Sequence, residues 1–129
     1  MREFNIMEKD PRTHKIMGAA MAVHNEMGPC HLESVYHECL EIEFELQKIL
    51  FVSKPNLSVY YKNRKLKKFY VADFVVVENI VLEIKAQKSL GKDDEAQIIN
   101  SLKSSRHEIG LLINFGETSL KFKRFIDSL

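Results

Sequence analysis

The stretch VADFVVVENIVLEIKAQ, residues 71–87, constrains the fold more than any other part of the chain. Val71, Ala72, Phe74 and Val75–Val77, then Ile80, Val81, Leu82 and Ile84, are what two buried strands around Glu78-Asn79 require. Asp73, Glu83 and Lys85 interrupt those apolar runs. A charge sits in a sheet core only when it is paired, bound to metal or exposed on one working face.

Strand parity makes this testable. Side chains alternate between faces, so Glu83 and Lys85 share one. A two-residue turn at Glu78-Asn79 pairs Asp73 with Ile84 and sends Asp73 to the opposite face. An odd loop such as Glu78–Ile80, or a bulge, restores a common face and sets Asp73 opposite Lys85 and diagonal to Glu83. The odd loop is therefore expected if the charges form one site. Converging carboxylates need a cation between them. An all-oxygen set suits a hard ion such as Mg²⁺, beside which Lys85 can orient a water or steady charge on a phosphate. The plain alternative is an Asp73–Lys85 ion pair on a solvated face.

The rest of the chain supplies the frame. Thr13 is placed to cap a helix with Ile16, Ala19, Ala20 and Val23 on one stripe, ended by Gly28-Pro29. A second helix is expected over about 31–50, with Leu32, Val35, Tyr36, Cys39, Ile42, Leu46 and Ile49 or Leu50 as its apolar stripe. Residues 57–61 alternate as a strand, KNRK is a turn, and strands follow over 66–77 and 80–86. Gly91 precedes a helix with Asp93 and Asp94 in its first turn and Ala96, Ile99 and Leu102 or Lys103 on its face. Ile109–Phe115 reads as a buried strand. LKFKRF reads as an edge strand with Lys121, Lys123 and Arg124 outward. The order is ααβββαββ, an α/β (α+β) domain with helices on its sheet faces. Residues 1–12 read as an N-terminal tail and 13–129 as a single domain.

Composition narrows the function. With 129 residues the chain holds one core, and a net charge of +1 gives no global pull toward nucleic acid or membrane. No apolar run reaches membrane-helix length and MREFNIMEKDPR has no signal-peptide core, so a cytoplasmic protein without a membrane partner is expected. Cys30 and Cys39 read as reduced thiols. With His31 and His37 they have poor spacing for zinc. Lys62, Arg64, Lys65, Lys67 and Lys68 lie among Tyr60, Tyr61, Phe69 and Tyr70, a mixture that can track phosphates and stack on bases, or simply solvate a hairpin tip.

Asp73 followed by Glu83-x-Lys85 on the next strand resembles the PD-(D/E)XK nuclease superfamily. MGPCHLESVYHECLEIEFEL, YVADFVVVENIVLEIKA and EAQIINSLKSSRHEIGLLINFG together resemble one of its small families, the GxxExxY proteins, over about residues 13–126. The resemblance implies a restriction-endonuclease-like core, with a central mixed sheet flanked by helices. It also implies a metal-dependent nuclease hydrolysing phosphodiester bonds in DNA or RNA with Mg²⁺ or Mn²⁺. Asp73, Glu83, Glu33 and the Ile84 carbonyl would be metal ligands, Lys85 the catalytic lysine, and Gln97 a supporting or nucleic-acid-contacting residue. Two positions depart from the family pattern. Cys30 stands where the signature glycine is usual, which strains the turn if that position needs φ > 0. Ser101 stands where a tyrosine is common. These departures keep a second reading open, a non-catalytic nucleic-acid- or protein-binding module on the same fold. A homodimer is compatible with either reading.

Overall fold

The computed structural model describes residues 10–127 and the backbone of residues 2–4. In chain order the elements are β1 (Arg2–Phe4), α1 (Pro11–Met27), α2 (Glu33–Leu46), β2 (Phe51–Ser53), β3 (Asn56–Tyr61), β4 (Arg64–Val71), β5 (Phe74–Val76), β6 (Ile80–Lys85), α3 (Lys92–Ser105), β7 (Ile109–Asn114) and β8 (Lys121–Ile126). The main sheet has the order β1-β8-β7-β6-β5-β2, while β3 and β4 form a separate two-stranded sheet. Among the described residues, only β6 and β7 pair in parallel, across the α3 crossover.

Two apolar layers sandwich β6. Ile80, Leu82 and Ile84 enter one core with α1 and α2, packing with Ile16, Leu40, Phe44 and Phe74. Val81 enters the other with Ile98 and Leu102 of α3, Leu57 of β3, and Leu112 and Phe125. Strand alternation makes both faces apolar, so β6 reads as a continuous hydrophobic run. Each aliphatic side chain fully buried here contributes roughly 1.5–3 kcal/mol. The same alternation turns Glu83 and Lys85 toward the α3 layer.

Several expectations need correction. The cap of α1 is Asp10, whose carboxylate accepts the Arg12 N–H at 2.9 Å, with Pro11 in the first turn. Thr13 is inside the helix, donating to the Asp10 carbonyl at 3.1 Å. α2 buries Tyr36, His37, Leu40 and Phe44, while Leu32, Ile42 and Leu46 are exposed. Its buried stripe is thus the 36–40–44 row. The chain leaves α2 through Lys48 at φ 58 and enters the short strand β2. α3 buries Ile98, Ser101, Leu102 and Ser105 instead of a face centred on Ile99. The strand expected over 66–77 is two strands in two sheets, broken at Ala72-Asp73. Residues 2–4, read as tail, pair with β8, which is therefore not an edge. Arg124 is not outward: it is buried and its guanidinium meets Asp10 at 3.1 Å.

The α1–α2 turn shows what Tyr36 does. Gly28 takes φ 72, and Cys30 is exposed without a positive φ, so the expected strain falls on the glycine. Tyr36 is fully buried and stacks on Phe115 with ring centroids 4.7 Å apart. Its hydroxyl donates to the Gly28 carbonyl and accepts the His31 N–H at 3.1 Å. Tyr36→Phe removes both bonds, one to the half-buried Gly28 carbonyl and one from the exposed His31 N–H. A loss of about 1–3 kcal/mol in denaturant unfolding is expected. Wild-type stability in that variant would show that Gly28 alone holds the turn.

Candidate active site

The β5–β6 register settles the parity question. Phe74, Val75 and Val76 pair with Leu82, Val81 and Ile80, leaving the three-residue loop Val77–Asn79. The loop is odd, as a shared face requires, but it lies one residue earlier than Glu78–Ile80. Asp73 therefore falls opposite Glu83 and not opposite Lys85. Val77 and Glu78 reach the left-handed region, φ 50 and 70, without a glycine to signal it.

Asp73 and Glu83 are latched to each other's strands. The Asp73 N–H donates to Glu83 Oε1 and the Ile84 N–H donates to Asp73 Oδ2, each at 2.8 Å. The latch exists because β5 pairing stops at Phe74, so the β5 flank of β6 beyond Leu82 has no strand partner. One oxygen of each carboxylate is thereby committed to the backbone. Asp73 Oδ1 lies 3.6 Å from Lys54 Nζ.

Burial dominates at Glu83. Desolvation pushes its carboxyl up to about 7, against the opposing pull of the Asp73 N–H and of Lys85, and the Glu33 charge adds to the rise. Glu33 is the first residue of α2, where acid complements the helix dipole. It is exposed on the site's rim, yet partial desolvation and then the Asp73 charge raise its carboxyl, while Lys85 and Lys54 lower it. Glu33 thus lies within electrostatic reach of both Asp73 and Glu83. Among the described residues, no three His, Cys, Asp or Glu side chains already stand gathered as metal ligands.

Lys85 is half-buried at the end of β6. Its ammonium lies 3.5 Å from Gln97 Oε1 and 3.9 Å from Asp94 Oδ1, both on α3. Gln97 therefore reaches the site through Lys85. Asp94 also accepts the Gly91 N–H at 2.8 Å, which fixes the first turn of α3. The chain beyond Lys85 is held by Asn114, which accepts the Gln87 N–H at 3.0 Å and donates to the Gln87 carbonyl at 2.9 Å. Gly116 packs so close to Gln87 that a Cβ would come within 2.2 Å of its carbonyl oxygen. Ser101 is buried, and its hydroxyl donates to the Gln97 carbonyl at 2.7 Å.

Reasoning from sequence passed over three neighbours. Asp94 was legible only as a first-turn helix acid. Lys54 carries φ 54, and its N–H donates to the Asp73 carbonyl at 2.8 Å in addition to the side-chain approach. His37 stacks on Phe74 at 4.1 Å and meets Ser53 Oγ at 2.8 Å. Desolvation, then Lys54, lowers its pKa. Only Ser53-Lys54-Pro55 before a strand marks this corner in the sequence, and that is a weak signal.

Comparison with curated proteins and with solved structures gives no match. The profile of the PD-(D/E)XK nuclease superfamily matches residues 10–125, a span that takes in all three helices and the acidic latch. That match, on a mixed sheet with helices on both faces, agrees with an α/β restriction-endonuclease-like fold. The chain belongs to the PD-(D/E)XK nuclease superfamily.

Proposed function

We propose that this chain is a metal-dependent phosphodiesterase acting on nucleic acid, DNA or RNA. In this reading Asp73, Glu83 and Glu33 hold a Mg²⁺ or Mn²⁺ ion together with the Ile84 carbonyl. The observation that carries it is Glu83, a nearly buried acid whose ionisation is opposed by burial and by Glu33. A divalent cation relieves that opposition. The donor chemistry fits, because Asp73 and Glu83 each spend one oxygen on a backbone N–H and keep the other. The resemblance of residues 27–46 and 95–116 to GxxExxY proteins supports the same assignment.

A bound divalent ion would supply Lewis-acid polarisation of a phosphoryl oxygen and lower the pKa of a water. The protein's own groups do the rest. Lys85 presents an ammonium to the attacking water and to the charge that develops on the phosphate. Gln97 and Asp94 hold that ammonium in place from α3. Lys54 balances the Asp73 charge while no cation is present.

The test is cleavage of single- and double-stranded DNA and RNA with Mg²⁺ or Mn²⁺, for wild type and Lys85→Ala. Lys85→Ala should lose about 10²–10³-fold in rate, the usual effect of removing one transition-state donor. Equal rates in both proteins, or no cleavage with any substrate and metal, would overturn the assignment.

A further inference from the structure

The β3–β4 sheet stands apart from the main sheet and carries a concentrated charge. Residues 56–71 include Lys62, Arg64, Lys65, Lys67 and Lys68 and no acid, in a chain whose net charge is only +1. Its two faces differ. Leu57 and Tyr70, which oppose each other, pack into the core beneath α3. Ser58 and Phe69 oppose each other on the outer face, as do Asn56 and Val71. A register shift follows Ser58. Beside it lies a groove of about 310 Å³ lined by Ser58, Lys65, Lys67, Lys68 and Phe69. Phe69 is 57% exposed and Val71 47% exposed. Charges alone protect a short edge from aggregation. An exposed aromatic flanked by cations does something more, because it offers a ring face to a base while the lysines meet phosphates.

β4 ends at Val71, two residues before Asp73. From Phe69 the chain reaches Asp73 within at most roughly 14 Å, so a strand lying on the outer face leads toward the carboxylates. We infer that the outer face of the β3–β4 sheet is a binding strip for single-stranded nucleic acid, feeding its backbone toward Asp73. This deepens, and rests on, the nucleic-acid reading above. Single strands fit because Phe69 needs an unpaired base, whereas a duplex offers only its backbone and groove edges.

The test is fluorescence anisotropy of the full chain with labelled oligonucleotides of about 12 residues in EDTA. The oligonucleotides are single-stranded DNA, single-stranded RNA and the matching DNA duplex. Single strands of at least one type should bind more tightly than duplex. Phe69→Ala should weaken that binding about tenfold. Lys65→Ala combined with Lys67→Ala should weaken it further and flatten the salt dependence by about 1.4 in logarithmic slope, as two lost phosphate contacts require. All these residues are exposed, so circular dichroism and melting should remain those of the wild type. Absence of binding, preference for duplex, or wild-type affinity in both variants would overturn the strip. Because EDTA removes any need for hydrolysis, the two readings fail separately. Binding without cleavage leaves the strip and overturns the nuclease. Cleavage indifferent to Phe69 and the lysines does the reverse.

Discussion

Asp73→Asn is expected to abolish metal-dependent cleavage while leaving the fold in place. The amide oxygen still accepts the Ile84 N–H, so the latch between β5 and β6 survives. The charge is lost, and with it the proposed metal ligand. A fall of at least about 10³-fold in kcat/KM is expected, or about 4 kcal/mol of transition-state stabilisation. Stability should move by less than about 1 kcal/mol, because the Asp73–Lys54 pair that disappears is exposed on the lysine side. A second readout comes from Glu33. Asp73 is one of the charges that raise its carboxyl, so Glu33 should titrate lower in the variant. Carboxyl-carbon NMR measures that directly. Undiminished cleavage by Asp73→Asn would remove Asp73 from the chemistry and leave it a structural latch.

Glu83 contributes its own slope to how stability depends on pH. Its carboxyl is pushed up from an ordinary value of 4.5 to about 7 in the folded chain. Between those values the native state holds a proton that the unfolded state has released. Stability should therefore fall as pH rises from about 4.5 to about 7, then level off. A rise of this size corresponds to about 3 kcal/mol across the window. Glu83→Gln keeps an acceptor for the Asp73 N–H and fixes the neutral form. It should flatten the slope over this window and make the protein more stable than wild type above pH 7, read by urea unfolding at several pH values. Divalent cation should act in the opposite direction on wild type, stabilising it most above pH 7 and displacing a proton as it binds below pH 7. If Glu83→Gln shows the same slope as wild type, the site carboxyl is ionised throughout and needs no cation.

The elements best read from sequence were those whose pattern leaves a single solution. IVLEIK is apolar on both faces except at its charged end, and only a central strand covered on both sides suits it. α3 announces itself by Gly91 and its acidic first turn. α2 was harder because apolar residues are scattered around it. Leu32, Ile42 and Leu46 appeal to a stripe that Tyr36, Leu40 and Phe44 occupy. His37 adds to the buried side because Phe74 stacks on its ring and Ser53 satisfies one nitrogen. Those partners are remote in sequence, so no local pattern shows them. The end of α2 and the Val77–Asn79 loop were also hidden, since Lys48, Val77 and Glu78 take positive φ where glycine is the usual signal.

The chain's own residues determine that a doubly covered strand must carry two charges, Glu83 and Lys85, on one face, with Asp73 on the strand before it. That follows from alternation and from the cost of burying charge, both local properties. Tertiary structure decides what surrounds them. The break at Ala72-Asp73 ends β4 and lets the β5 flank of β6 open, so a carboxylate replaces a strand at the Ile84 N–H. The same packing brings Glu33 from α2, Lys54 from the β2–β3 turn and Asp94 from α3 into one electrostatic neighbourhood. Each is a surface charge in its own segment. Only where β5 stops pairing, with helices on both faces of the sheet, does Glu33 come under the influence of Asp73, Lys54 and Asp94.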